Sequence, residues 1–255
     1  MTKSLFIDGL RINIEIAGQG EPLLILHGWG SSVESWLTLQ NLLAKDFKVF
    51  VPDLPGFGQS DAPFKAWTVE YYSNFVLKLV DELKLSSFFL MGHSFGGRIS
   101  IRFAGKHPEK IKSLILCDAS GIKMELDPKR KIVFQMSRLG NFLFSKRLFS
   151  GLKRFVKGVF YFFLRHTDYA RARGIMKETL KLVVVEDLLP ELNNIKARTL
   201  VVWGEKDNMV PVKAAHIFKE RIPGSELKIF PGVKHSPHRE IPEKLSQVVS
   251  NFLKA

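Results

Sequence analysis

The chain has 255 residues, 45% apolar and 25% charged, a composition that excludes a disordered chain and suits a globular fold. Its single cysteine, Cys117, excludes an intramolecular disulfide framework and a cysteine-built zinc site. Lys and Arg total 38 against 25 Asp and Glu, and the resulting +13 favours anionic partners without choosing among them. In chain order, Leu5–Ile7 and Arg11–Ile16 read as short strands around Asp8-Gly9, a hairpin signal. Leu23–Leu26 and Lys48–Val51 are the short apolar runs expected of strands buried on both faces. Val69–Leu83 carries Phe75, Val76, Leu79, Val80 and Leu83 at helical spacing. Phe88–Met91 reads as a strand, and Phe95–Lys106 as a helix stopped by His107-Pro108. Ile111–Cys117 and Thr199–Trp203 are strand-like, Lys213–Arg221 helical, Leu227–Phe230 strand-like and Glu243–Leu253 a closing helix. This alternation predicts an α/β fold, a mostly parallel doubly wound sheet with helices on both faces.

Residues 121–190 break the rhythm. They hold 15 Lys and Arg against 6 Asp and Glu, and eight of the 21 Phe, with no short apolar strands. The segment reads as a helical insertion between two strands, so the expected organisation is a sheet domain, 1–120 with 191–255, and a helical cap, 121–190. No apolar run reaches the roughly 18–20 residues of a membrane span. Met1–Leu10 does not have the pattern of a signal peptide, and the expected location is the cytoplasm. Neither a zinc-finger spacing nor an RNP-type aromatic motif accompanies the charge, so nucleic acid is not an expected partner.

Gly92-His93-Ser94-Phe95-Gly96 matches G-x-S-x-G between an expected strand and an expected helix. A nucleophilic serine needs such a tight turn, which lifts its hydroxyl clear and puts it at the positive end of a helix. Four more motifs occur in order. His27-Gly28-Trp29 follows the third strand and Asp53-Leu54-Pro55-Gly56-Phe57-Gly58-Gln59-Ser60 the fourth. Trp203-Gly204-Glu205-Lys206-Asp207 follows a late strand, and Gly232-Val233-Lys234-His235, with Glu240 and Pro242, precedes the last helix.

With these five motifs the chain resembles the α/β-hydrolase fold family over nearly its whole length. The resemblance implies Ser94 as nucleophile, His235 as general base and Asp207 as the acid that orients it. It implies an oxyanion hole from the backbone N–H groups of Trp29 and Phe95. Trp29, Phe95 and His238 are the residues expected to touch substrate. Two rivals stay open: His238 as the base, and Asp118, at the end of Ile111–Cys117, as the acid. His27 and His93 are expected in structural hydrogen bonds, and the loop Asp53–Ser60 in a tight crossover turn. No metal cluster and no dinucleotide turn is present, so no metal and no cofactor is implied.

A serine in place of aspartate at position 94 argues against dehalogenase or epoxide-hydrolase chemistry. The expected reaction is hydrolysis of a carboxylic ester with an apolar acyl group. The alternatives are carbon–carbon bond hydrolysis or cofactor-free perhydrolysis on the same triad, or a non-catalytic ligand-binding protein. Phe142–Arg165 has a basic amphipathic pattern. Such a helix can lie weakly on an anionic membrane surface, or pack its apolar face over the acyl pocket as a lid, and the second reading carries more weight.

Overall fold

The computed structural model of the chain describes residues 1–123 and 174–255. The strands are β1 (Thr2–Ile7), β2 (Leu10–Ala17), β3 (Pro22–Leu26), β4 (Lys48–Pro52), β5 (Phe88–His93), β6 (Ile111–Cys117), β7 (Arg198–Gly204) and β8 (Glu226–Phe230). The helices, numbered over the described residues, are α1 (Leu37–Leu43), α2 (Val69–Glu82), α3 (Phe95–Lys106), α4 (Gly174–Val185), α5 (Lys213–Arg221), α6 (Pro237–Glu240) and α7 (Pro242–Lys254).

All eight strands form one sheet, in the order β1-β2-β4-β3-β5-β6-β7-β8. The β1–β2 and β2–β4 pairs are antiparallel, and every other pair is parallel. The β1–β2 hairpin closes on Asp8 and Gly9, both left-handed at φ 52° and 78°, the backbone a two-residue hairpin turn requires. The central strands are apolar on both faces because both faces are covered: every residue of β5 is buried. One face packs Leu23, Ile25, Met91, Ile115 and Val202 against Trp36, Leu39 and Leu43 and against Leu245, Val249 and Phe252 of α7. On the other face α2 packs on α3.

Two helical features differ from the expectations. Helix α1 has no side-chain cap and follows a 3-10 turn, Val33–Trp36. Its seven residues are too short for a clear period, and burial of Leu39 and Leu43 is what holds them helical. Helix α4 was expected in the cap. The chain instead divides into one compact unit of 1–122 with 174–255 and a second of 123–173, so α4 belongs with the sheet. Its contacts explain this. Thr179 Oγ1 accepts the N–H of Trp67 at 3.1 Å, and Arg98 donates to the carbonyls of Val183 and Glu186 at 2.8 and 2.7 Å. Most of the expected cap, including the basic stretch 142–165, lies outside the described residues. Among the described residues no helix is long and apolar enough to cross a membrane.

Candidate active site

The chemistry-bearing side chains gather at the carboxyl ends of β3, β5, β6, β7 and β8, where open α/β sheets place their crevice. Ser94 joins β5 to α3 at φ 50° and ψ −110°. That conformation costs a non-glycine residue on the order of 1–3 kcal/mol and persists only if the surroundings over-determine it. They do. Ser94 N–H donates to Cys117 O at 3.2 Å, and Ser94 O accepts from Arg98 N at 3.2 Å and from both N and Oγ of Ser120 at 3.0 Å. The flanking glycines are set by close packing. A Cβ on Gly92 would strike Ser100 Oγ, one on Gly96 the carbonyl of Leu26, and one on Gly97 the Cβ of Ala119. The motif is therefore the tightest contact between β5, the end of β3 and α3, with Ser94 half-buried at its apex.

Asp207 is buried in the turn after β7. Its Oδ1 accepts the N–H groups of Met209 and Val210 at 2.7 and 2.9 Å, and its Oδ2 lies 2.6 Å from His235 Nδ1. The carboxylate is thus held from behind and presents one oxygen to the ring. That hydrogen bond puts the His235 proton on Nδ1 and leaves Nε2 as an acceptor. The His235 loop is pinned on both sides: Glu240 accepts from the N–H of Lys234 at 3.1 Å and of Ser236 at 3.3 Å. The His-to-Glu spacing in the sequence is the length of this clasp. From below, His93 Nε2–H donates to His235 O at 2.8 Å.

The loop after β3 runs beside the serine: a Cβ on Gly28 would sit 2.9 Å from His93 Nδ1 and 3.3 Å from Ser94 Cβ. Buried His27 fixes that loop, taking Leu54 N–H on Nε2 at 2.9 Å and giving Nδ1–H to Gly28 O at 2.7 Å. Asp53 accepts from Asn13 Nδ2, Val33 N and Gln59 N, so the Asp53–Ser60 loop is a buried hydrogen-bonded crossover. The N–H groups of Trp29 and Phe95 engage no hydrogen bond among the described residues. Beside them the ring of Trp29 packs on Phe57 and Phe95 at 4.9 and 5.2 Å, and Phe95 packs on Tyr72 at 5.0 Å.

Comparisons with known proteins give the family. A model of the alpha/beta hydrolase fold matches residues 21–158. A 2-hydroxy-6-oxononadienedioate/2-hydroxy-6-oxononatrienedioate hydrolase of Escherichia coli is 30% identical over 96% of this chain and 91% of its own length. An uncharacterised Mycobacterium tuberculosis protein is 28% identical over 97% of this chain and 79% of its own. The crystal structure of a bacterial membrane phospholipase A superposes with a TM-score of 0.78 at 25% identity, covering 100% of this chain and 86% of that one. The chain belongs to the alpha/beta hydrolase family.

In this alpha/beta hydrolase both rival residues lie close by. Among the described residues, Asp118, Asp207 and His235 are the group whose donor atoms come within 4.8 Å of one another and could meet at one ion. Backbone N–H groups and His235 itself already occupy those oxygens. Asp118 is fully buried, at φ 44°, with Oδ1 on Gly204 N–H at 2.9 Å. It is Asp207, not Asp118, that bonds His235 Nδ1. His238, expected to touch substrate, is 3% exposed, stacked on Trp36 at 4.1 Å and edge-on to His93 at 4.6 Å. Burial holds His27, His93 and His238 below the usual histidine range, with His93 at about 3, so all three are neutral at neutral pH. Burial pushes the Cys117 thiol up, in keeping with a small apolar role. Sequence reasoning did not find the bond from His93 to the His235 carbonyl. Its only trace is a histidine next to the serine, and its partner is a backbone atom with no sequence signature.

Proposed function

We propose that this alpha/beta hydrolase is a serine hydrolase that cleaves a carboxylic ester through an acyl-enzyme, with Ser94, His235 and Asp207 as nucleophile, base and orienting acid. The observation that carries the reading is the 2.6 Å bond between Asp207 Oδ2 and His235 Nδ1 beside a serine held at φ 50°. Ser94 Oγ attacks the ester carbonyl while His235 Nε2 takes its proton. The carbonyl oxygen becomes an oxyanion and receives the N–H groups of Trp29 and Phe95. His235 then passes the proton to the departing alkoxide as the C–O bond breaks. Water repeats the sequence on the acyl-enzyme and releases the acid and Ser94. No cofactor enters these steps. The aromatic cluster of Trp29, Phe57, Phe95 and Tyr72 supports an apolar acyl group. The expected cap, 121–190, is proposed to select that group, and the basic residues of 142–165 are proposed to favour an anionic surface.

A second reading is favoured by the E. coli relative. A 2-hydroxy-6-oxo dienedioate has no ester bond, so its hydrolysis breaks a carbon–carbon bond beside the 6-oxo group. The same serine, base and oxyanion donors suit that reaction, and the pocket decides between the two.

The test is turnover of p-nitrophenyl esters of graded acyl length beside a 2-hydroxy-6-oxo dienoate, by wild type and Ser94→Ala. Ester turnover lost by about a thousandfold or more in Ser94→Ala supports the esterase. Turnover of the dienoate alone replaces it with the carbon–carbon hydrolase, and turnover of neither removes both.

A further inference from the structure

The proposed reaction leaves one buried carboxyl unused. Asp118 ends β6 fully buried, in a left-handed conformation that aspartate tolerates better than most residues. Its Oδ1 takes the N–H of Gly204 at 2.9 Å, and its Oδ2 faces Cys117 Sγ at 3.5 Å. One oxygen of Asp118, one of Asp207 and a ring nitrogen of His235 lie within 4.8 Å of one another. The groups that face Asp118 are Cys117 at the end of β6, Gly204 at the end of β7, Asp207 after β7, and His235 after β8; His93 joins them through the His235 carbonyl. Among the described residues, no Lys or Arg forms an ion pair with either carboxyl.

Two buried carboxyls this close disfavour carrying charge together. They are not equivalent. Asp207 has two backbone N–H donors and His235 to stabilise its negative form, whereas Asp118 has one backbone N–H and a weak thiol donor. The proton therefore resides on Asp118. Burial, with Asp207 as neighbour, pushes the Asp118 carboxyl well above the usual range.

We propose that Asp118 and Asp207 act as one two-carboxyl acid that shares a single proton behind His235, with Asp118 as the positioning residue of the pair. The inference rests on the roles proposed above for Asp207 and His235. The Asp118 proton draws charge from Asp207 and so lowers the basicity that Asp207 confers on His235.

The test follows the rate at which a fluorophosphonate labels Ser94 across about pH 5 to 9, a readout that needs no knowledge of the substrate. Asp118→Asn keeps an acceptor for Gly204, tolerates φ 44° and offers Asp207 a permanent N–H. Asp118→Ala removes that donor, and Asp118→Gly, which suits the left-handed backbone, replaces it if the alanine variant does not fold. Asp118→Asn is expected to keep the labelling rate within about threefold and leave the acid limb in place. The alanine or glycine variant is expected to move the acid limb upward by about half a pH unit or more, as His235 becomes more basic. A purely structural Asp118 would lower rates at every pH without moving the limb, and that result overturns the proposal. So does a limb that moves equally in Asn and Ala. An unlabelled wild type would remove the serine-hydrolase reading itself, and the shared acid with it.

Discussion

His93 Nε2–H donates to the backbone carbonyl of His235 at 2.8 Å, so the residue before the nucleophile holds the loop that carries the base. Burial keeps His93 neutral, and the carbonyl acceptor requires its one ring proton on Nε2. His93→Phe retains a ring for Trp36 and His238 to pack on and removes the donor. The expected result is a fall in kcat of about tenfold to a hundredfold with little change in KM, since the base is displaced and not the substrate. Stability should drop by about 1–3 kcal/mol, the cost of a buried unpaired carbonyl. A kcat equal to wild type would show that Asp207 and Glu240 hold His235 without it.

The glycines around Ser94 divide by what a Cβ would meet. On Gly96 it would run into the backbone carbonyl of Leu26, which cannot move without shifting β3. Gly96→Ala should therefore lose about 3 kcal/mol or more, or fail to fold. Gly105, near the end of the same helix, has nothing within 4 Å of the added Cβ. Gly105→Ala should stabilise by about 0.5–1 kcal/mol through helix propensity. Urea midpoints of the two variants compare the predictions, and similar effects would refute the steric account of the motif.

The central strands of the sheet were legible because they are buried on both faces and read as apolar runs bounded by turns. Helix α5 was legible to its ends, and Asp8-Gly9 marked its hairpin. Helix α1 was not, since seven residues without a cap owe their helicity to Trp36 and α7 beneath them. Helix α4 fell within the expected cap, 121–190, and its attachment beside the sheet is made by Arg98 and Thr179, polar contacts across more than 80 residues that no local pattern encodes. At the site, Ser94, Asp207 and His235 stood in motifs whose turns demand particular residues. The depth of His238 arises from its packing on Trp36 and His93, rings distant from it in the chain, and spacing carries no trace of that.

Arg98 is the buried cation that ties α3 to the end of α4. Its NH1 donates to Val183 O at 2.8 Å and Glu186 O at 2.7 Å, satisfying carbonyls at a helix C-terminus. Burial lowers its guanidinium to about 10, still fully charged at neutral pH. Arg98→Met keeps much of the side-chain volume and removes the donors. The expected loss is about 2–4 kcal/mol, with hydrogen exchange rising first in residues 183–186. Arg102, one turn on, reaches Glu70, Glu186 and Glu191 from a more exposed position. Arg102→Met should cost less, about 1 kcal/mol, because its carboxylate partners keep access to water. A larger loss from Arg102 than from Arg98 would reverse the assignment of which arginine anchors α4.

The buried titratable groups set a pH optimum for stability, and their signs oppose. His27, His93 and His238 are held below their ordinary 6.5 by burial, so the unfolded chain binds more protons than the folded one as pH falls through that value. Their contribution is complete above about pH 6.5 and lost on the way down toward the folded value, about 3 for His93. Asp118 is raised above its ordinary 3.8 by burial, so the folded chain keeps a proton that the unfolded chain releases. Its contribution is complete below about pH 3.8 and lost as pH rises toward its raised value. Between about pH 4 and 6.5 three histidines outweigh one carboxyl and stability climbs with pH, by about 1.4 kcal/mol per unit for each net proton. Above that only Asp118, of these four, still changes, and stability declines gently. Urea midpoints at about pH 5, 6.5 and 8 should therefore peak at the middle value. In Asp118→Asn the decline from the middle value to the highest should shrink, while the loss toward acid stays. A midpoint at pH 5 above that at pH 6.5 would mean that the buried histidines are charged in the folded protein.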